Sequence, residues 1–269
     1  MRLMKFAVIV STKDAAGMNI KERLLERFDF KENGEKFGHP SYFFENIELY
    51  TTDLESVDCE EYDKELDVDV VVFATKHQAA SGVQSLSVHA PGNWGAAGLG
   101  GKEKTLCVAP SCLLKFALLK LKELNSEKEL GYEVIQECTH HGPYMEKPVM
   151  FIEIGSEEKS WERKDAAEVI ADTILHFCRS LIPSYPIAFG IGGLHHTPRF
   201  TSLMYKTDYC FGHVCPKYRL EDLDSALVKE AMEKSGAEKI FLEWKGLAGF
   251  KEKVTTLLDD MGLEYEKVK

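Results

Sequence analysis

The chain has 269 residues and a formal net charge of -11 at pH 7, with 44% hydrophobic and 29% charged residues. This composition is ordinary for a soluble globular protein, and the lack of an apolar run of about 18 residues excludes a membrane-spanning helix. The acidic balance argues against a general nucleic-acid coat, although a local basic patch could still contact RNA. The seven scattered cysteines favour reduced thiols in a cytoplasmic protein over a disulfide framework.

Apolar strand-like runs alternate with amphipathic helical segments along the chain. Runs rich in β-branched residues predict buried strands, and apolar residues at 3.6-residue spacing predict helices that pack on them. The predicted strands are 4–10, hairpin segments within 35–52, 69–74, 85–88, 131–138, 147–154, 186–189, 208–211 and 239–243. The predicted helices are 17–28, 110 to about 125–129, 161–181, 221–235 and 247–261, with a surface helix and turn in the acidic stretch 53–69.

This alternation predicts an α/β protein with a mixed, largely parallel sheet and helices on both faces. No repeat, low-complexity tract or linker rich in proline and serine divides the chain. We therefore expect residues 1–269 to form a single compact α/β domain, with at most a small inserted or appended subdomain. Phosphate-loop and dinucleotide-binding motifs are absent from the sequence, which disfavours ATP and NAD chemistry.

Histidines follow the predicted strands with unusual frequency. Seven of the nine lie there: His77, His89, His140, His141, His195, His196 and His213. Ligands of open α/β sheets bind beyond the carboxyl ends of the strands, so we expect several of these imidazoles to meet in one site. Such a cluster suits zinc binding or acid–base catalysis. The carboxylates able to join it are Glu133, Glu137, Glu153 and Asp208, and strand parity decides which of them point inward.

The same motifs have simpler explanations. Adjacent strand residues face opposite ways, so one histidine of each pair could be packed or solvated. The group Cys210, His213 and Cys215 could hold a structural zinc, or could be buried thiols beside a loop histidine. Two lysine groups could contact RNA or could be solvated helix faces: Lys115, Lys120 and Lys122, and Lys245, Lys251 and Lys253. HExxH and GxSxG motifs are absent and the cysteines lie mostly in apolar runs, which leaves general-base activation of water, with or without a metal.

Four segments of the chain resemble the archaeal and plant type of D-aminoacyl-tRNA deacylase. They are FAVIVSTKDAA at 6–16, VHAPGN at 88–93, CTHHGP at 138–143 and GIGGLHH at 190–196, and the resemblance extends over the full length. It implies hydrolysis of the ester that joins a D-amino acid to the 3′-terminal ribose of tRNA, with Zn²⁺ as cofactor. It also implies a fold similar to that of peptidyl-tRNA hydrolases and nucleoside phosphorylases. His196 stands where family motifs often have Tyr, so we expect no essential role for it.

These observations define a set of expected site residues and partners. We expect the metal to be held by His89, His141 and His195, and the catalytic residues to be His140, His141 and Lys76. Substrate binding, with backbone amides donating to the oxyanion, is expected at Gly92, Asn93, Gly192 and Gly193. The expected partner is the 3′ end of aminoacyl-tRNA, without membrane or DNA, and the protein is expected to be a monomer or small homo-oligomer. The alternatives are a zinc peptidase or amidohydrolase acting on small molecules and, from another class, a non-catalytic RNA-binding or scaffold protein.

Overall fold

A computed structural model of the chain describes residues 4–79 and 82–269. In these ranges the strands are β1 (Phe6–Ser11), β2 (Lys31–Lys36), β3 (His39–Phe44), β4 (Ile47–Thr52), β5 (Val70–Gln78), β6 (Ser85–His89), β7 (Gly92–Asn93), β8 (Thr105–Leu106), β9 (Glu133–Gln136), β10 (Val149–Ser156), β11 (Ile187–Ile191), β12 (Cys210–Cys215), β13 (Lys239–Glu243) and β14 (Tyr265–Val268). The α-helices are α1 (Ala15–Arg27), α2 (Ser111–Glu127), α3 (Glu158–Trp161), α4 (Lys164–Arg179), α5 (Pro198–Lys206), α6 (Ser225–Ser235) and α7 (Lys251–Asp260). Short 3₁₀ helices lie at Ser56–Asp58, Tyr62–Glu65, Lys217–Arg219 and Ala248–Phe250.

Eight strands form the larger sheet, in the order β2-β3-β4-β1-β5-β10-β6-β9. The four adjacent strands β4, β1, β5 and β10 run parallel to one another, and β6 runs parallel to β9. The pair β10 and β6 is antiparallel, and β2, β3 and β4 form antiparallel hairpins. Hairpin segments are predicted within 35–52, and the structure begins the first of them earlier, at Lys31. The prediction of a mixed, largely parallel sheet is confirmed.

Alternating side chains cover the two faces of this sheet. In β5, Val70 and Val72 face the main core, which contains α1, α2 and α4, whereas Val71 and Phe73 face a smaller core on the other side. That second face is covered by the 3₁₀ helices and loops of the acidic stretch, through apolar residues such as Leu66. The surface helix predicted within 53–69 is therefore replaced by two short 3₁₀ helices, and the α-helices of the larger sheet lie on one of its faces.

Four parallel strands form a second sheet, in the order β12-β11-β13-β14. Ala188 and Phe211 join the main core on one face, where α2 and α5 contact β12. Phe189 and Ile191 join another core on the opposite face, with side chains of α6 and α7. Here helices cover both faces. The division into two sheets, the helix α5 and the strand β14 were not predicted. No helix among the described residues is long and apolar enough to cross a membrane.

Candidate active site

The candidate site lies on the face of the larger sheet opposite the α-helices. Along β5 the row of apolar side chains ends in Thr75 and His77, and along β10 it ends in Glu153. On the neighbouring strand β6, His89 pairs with Phe151, two residues before Glu153. Because strand residues of one parity share a face, three adjacent strands bring polar side chains together above the smaller core.

A loop at 138–143 follows β9 and places two further imidazoles over this region. His141 has a φ of +46°, in the left-handed region, so the chain turns at this residue. The ring centroids of His140 and His141 are 4.2 Å apart, and they lie 4.3 Å and 4.9 Å from the ring of His89. The turn breaks the alternation expected of a strand, and both adjacent histidines join one cluster.

Thr139 anchors this loop through hydrogen bonds to residues outside the loop. Its hydroxyl lies 2.9 Å from Nδ1 of His213, and its carbonyl accepts a hydrogen bond of 2.9 Å from the Trp94 indole. Nε2 of His213 lies 2.9 Å from the carbonyl oxygen of Cys107, and burial lowers the pKa of His213 to about 4. His213 is thus a neutral, buried support of the loop, and no metal-binding group found among the described residues includes it.

Glu137 joins two histidines from distant parts of the chain. One carboxylate oxygen lies 3.1 Å from Nδ1 of His77, and the other lies 2.9 Å from Nε2 of His195. Burial alone would raise the pKa of Glu137, but the hydrogen bonds with His195 and His77 hold it well below its usual range. Burial would lower the pKa of both histidines, but hydrogen bonds to Glu137 and Glu153 raise that of His77 to about 10, and those to Cys138 and Glu137 raise that of His195 to about 10. Glu137 is therefore an ionised carboxylate between two imidazolium groups at neutral pH.

Glu153 is a second buried carboxylate in the cluster. It accepts a hydrogen bond of 2.7 Å from the Thr75 hydroxyl, and its other oxygen lies 3.6 Å from Nδ1 of His77 and 3.8 Å from Nε2 of His89. Burial and the neighbouring Glu137 would raise its pKa, but His77 and His89 lower it to about 2. Two carboxylates are thus ionised side by side because histidines surround them.

His140 and His141 have the opposite electrostatic setting. Burial and the neighbouring imidazoles hold the pKa of His140 well below its usual range, and burial together with His89 lowers that of His141 to about 4. Nδ1 of His140 lies 2.8 Å from the carbonyl oxygen of Cys138, and Nδ1 of His141 lies 2.5 Å from that of Gly142. A carbonyl only accepts, so each Nδ1 donates its hydrogen and each Nε2 keeps a free lone pair.

Possible metal ligands overlap within this one cluster. Neither ring nitrogen of the buried His89 has a hydrogen-bond partner among the described residues. One nitrogen each of His89, His140 and His141 lies within 4.8 Å of the others. His195 belongs to adjacent groups instead, with His77 and Glu137 or with Cys138 and His140. Two of the three predicted ligands, His89 and His141, therefore form one ligand group together with His140. The third, His195, lies beside this group in the same cluster.

Lys76, predicted to be catalytic, leaves the face of β5 opposite to that of Thr75 and His77. It follows Thr75 and precedes His77 in β5, so its side chain leaves the opposite face of the strand. Its ammonium lies 3.4 Å from the carbonyl oxygen of Lys13 and 5.6 Å from the centre of the Trp161 ring. Lys76 nevertheless lines a cavity of about 390 Å³ together with His77, His140 and Glu153, so it borders the cluster.

The first predicted substrate-binding segment borders the site, but its polar groups already form hydrogen bonds within the protein. The N–H of Gly92 donates to the carbonyl of His141 at 2.8 Å, and the side chain of Asn93 donates to the carbonyl of Gly100 at 2.9 Å. Both residues line a cavity of about 280 Å³ that also borders His140. Neither group is free to hold an oxyanion in this arrangement.

The second predicted segment lies on the other side of the cluster. The N–H of Gly192 donates to the carbonyl of Cys215 at 2.8 Å, and that of Gly193 points to the carbonyl of Gly246 at 3.5 Å. Gly193 lines a cavity of about 810 Å³ that borders His195. The segment thus reaches the site as part of a cavity wall. Its backbone amides also form hydrogen bonds within the protein.

Close packing of Gly142 fixes the loop that contains His141. A Cβ atom on Gly142 would lie 2.2 Å from the nitrogen of Gly101 and 2.4 Å from the carbonyl carbon of Gly100, which are backbone atoms. We expect Gly142→Ala to lower the free energy of unfolding by about 1–3 kcal/mol, because the loop must shift to relieve the overlap. Thermal unfolding measures this loss. Gly249→Ala is the control, since nothing lies within 4 Å of its Cβ position, and equal Tm values for the two variants would contradict the packing.

Comparisons with known proteins place this chain in a family. The family model for D-aminoacyl-tRNA deacylase matches residues 64–266, which include the whole imidazole and carboxylate cluster. A D-aminoacyl-tRNA deacylase of Pyrococcus furiosus is 38% identical over 97% of this chain and 99% of its own length, and one of Methanosarcina mazei is 38% identical over 98% and 92%. A crystal structure described as a conserved protein of unknown function has a TM-score of 0.91 at 32% identity, covering 99% of this chain and 96% of that chain. The chain belongs to the D-aminoacyl-tRNA deacylase family.

Proposed function

We propose that this protein hydrolyses the ester bond of D-aminoacyl-tRNA and releases the free D-amino acid and tRNA. The names of its relatives support the substrate class. The observation that supports the chemistry most is the convergence of three imidazoles beside two ionised, buried carboxylates. This combination can bind and activate a water molecule, which ester hydrolysis requires.

We propose that His89, His140 and His141 hold a Zn²⁺ ion. Their donor atoms fit the ion, because His89 has two buried nitrogens without a partner, and His140 and His141 are anchored through Nδ1 with Nε2 free. Zinc bound by three protein ligands with an open position lowers the pKa of a bound water to about 7. His195 lies next to this group, where we assign it to proton transfer.

Glu137 and His195 are placed to move protons during hydrolysis. The carboxylate of Glu137 lies at the centre of the cluster and can accept a proton from the attacking water. Nε2 of His195 is 2.9 Å from Glu137, and the His195 side chain is 34% exposed, so it can reach a substrate. Its imidazolium is placed to donate a proton to the leaving ribose oxygen, while Glu153 and Thr75 fix His77 on the other side.

Hydrolysis of matched D- and L-tyrosyl-tRNA tests this proposal. We expect release of D-tyrosine alone, and we expect chelation to lower the rate by about 10³-fold, because a catalytic metal supplies several kcal/mol of transition-state stabilisation. Added zinc should restore the rate. Release that survives complete removal of metal would contradict the zinc proposal and leave a histidine or carboxylate base. Release of neither enantiomer would contradict the deacylase and favour a hydrolase of small molecules, whose turnover depends less steeply on salt.

A further inference from the structure

A large cavity lies beside the cluster, at the carboxyl edge of the second sheet. It measures about 810 Å³, and its wall contains Gly193 after β11, Lys217 after β12 and Phe250 after β13. His77 and His195 of the site also line it. The cavity therefore opens directly onto the atoms assigned to hydrolysis.

The topology of the second sheet makes this edge a ligand-binding position. The chain leaves β11 through α5, whose Phe200 packs in the main core, and leaves β13 through α7, whose Val254 packs in the core on the opposite face. Connections that depart to opposite faces from two adjacent parallel strands open a crevice between them, where α/β proteins bind ligands. Gly192 and Gly193 have φ values of +102° and +88°, so the chain turns sharply at this crevice.

The lining of the cavity suits a nucleoside. Leu194 is 67% exposed and lies at its mouth with the half-buried ring of Phe250, which leaves apolar surface open to solvent. Nucleobases stack on aromatic rings such as that of Phe250 and pack against exposed aliphatic side chains such as Leu194. The exposed Lys217 can attract a phosphate, and Glu221 is the acidic residue of the lining.

A second cavity on the other side of the cluster has a different character. It measures about 390 Å³, it also borders His77 and His195, and its wall includes three acidic residues, Asp14, Glu55 and Glu153, against one lysine, Lys76. An aminoacyl ester carries a cationic α-ammonium group, which carboxylates attract. The two cavities meet at His77 and His195, so a substrate that spans them places its ester bond at the cluster.

We propose that the larger cavity binds the 3′-terminal adenosine of the tRNA, while the acidic cavity takes the amino acid. This inference rests on the proposed function, because it assigns the two halves of that substrate. The adenine ring stacks against Leu194 and Phe250, and the backbone of the preceding nucleotides leaves through the open mouth past Lys217. Binding of the terminal nucleoside holds the ester in position for hydrolysis.

Binding of a fluorescein-labelled CpCpA trinucleotide, measured by fluorescence anisotropy, tests the assignment without turnover. We expect Phe250→Ala to weaken binding by about tenfold, the size of one lost stacking contact, and Leu194→Ala to weaken it by a smaller factor, through lost apolar packing. Phe43→Ala is the matched control, since Phe43 is a large exposed side chain, 41% exposed, on β3 of the larger sheet. In hydrolysis of D-tyrosyl-tRNA, the two cavity variants should raise KM with little change in kcat.

The outcomes separate this inference from the proposed function. Deacylation by the wild-type protein with unchanged trinucleotide binding and KM in both cavity variants would overturn the adenosine site and leave the function intact. Absence of trinucleotide binding by the wild-type protein would also overturn the site. Binding that both variants weaken, in a protein that releases no D-amino acid, would support the nucleoside site and contradict the hydrolysis. Because Leu194 is largely exposed, its variant is expected to fold, which Tm measurements check.

Discussion

Glu137→Gln is expected to lower kcat/KM for D-aminoacyl-tRNA by about 10²–10⁴-fold, the range that a positioned acid–base group contributes. The substitution keeps the volume of the side chain but removes the negative charge between His77 and His195. An amide cannot accept a proton from water at neutral pH. It also leaves two imidazoles without the charge that holds them, so the proton donor assigned to His195 loses its orientation as well.

Glu133→Gln provides the matched control for this variant. Glu133 lies in β9, four residues before Glu137 and on the same side of the chain, but its side chain is exposed. We expect its kcat/KM to equal that of the wild-type protein. A Glu137→Gln protein that folds, as shown by its circular dichroism and Tm, and still turns over at the wild-type rate would exclude Glu137 from proton transfer. A lower rate in Glu133→Gln would indicate that removal of any negative charge near the site slows the reaction.

Most of the strands and helices could be predicted because their apolar periodicity is strong. The division into two sheets could not, since periodicity reports which face of an element is buried and says nothing about which strand lies beside it. The helix α5 has only nine residues and begins at Pro198, two residues after the His195-His196 pair. The pair predicts a loop, and nine residues are too few for the apolar periodicity of the following helix to be distinct.

The histidine cluster was predicted from the ends of strands, and the structure places six of the seven histidines within it or at its edge, including His196, whose Nε2 lies 3.4 Å from Nε2 of His77. The reasoning was partly wrong in detail, because His77, His89 and His213 lie within strands and not in loops after them. His77 and His89 still meet the loop histidines, since alternation along β5 and β6 directs both side chains to the same face of the sheet. His213 does not join the cluster, because its strand β12 belongs to the second sheet and places its side chain against Thr139 of the loop.

One of the two site carboxylates is indicated by the sequence around it. Glu153 is the one charged residue in the buried strand VMFIEIGS, and a strand buried on both faces seldom contains a charge without a partner. Glu137 stands directly before the Cys138 loop, yet its partners His77 and His195 are 60 and 58 residues away in sequence. Pairing over that distance depends on strand order. Four carboxylates were therefore named as candidates, and only the fold could select Glu137 and Glu153 and leave Glu133 and Asp208 exposed.

His89→Ala is expected to abolish zinc binding and to lower turnover by about 10³-fold, since several kcal/mol of metal catalysis would be lost. Both nitrogens of His89 are buried without hydrogen-bond partners among the described residues, and a buried imidazole left in that state is costly unless a ligand satisfies it. The zinc content of the purified protein, measured by mass spectrometry, should fall from about one ion per chain to near zero. His39→Ala is the control, because His39 lies on β3 and contacts Asp53, outside the cluster. Zinc retained at the wild-type level would contradict the ligand role of His89 even if the rate fell, because the ring also stacks on Phe151 at 5.0 Å and its loss could then act through packing alone.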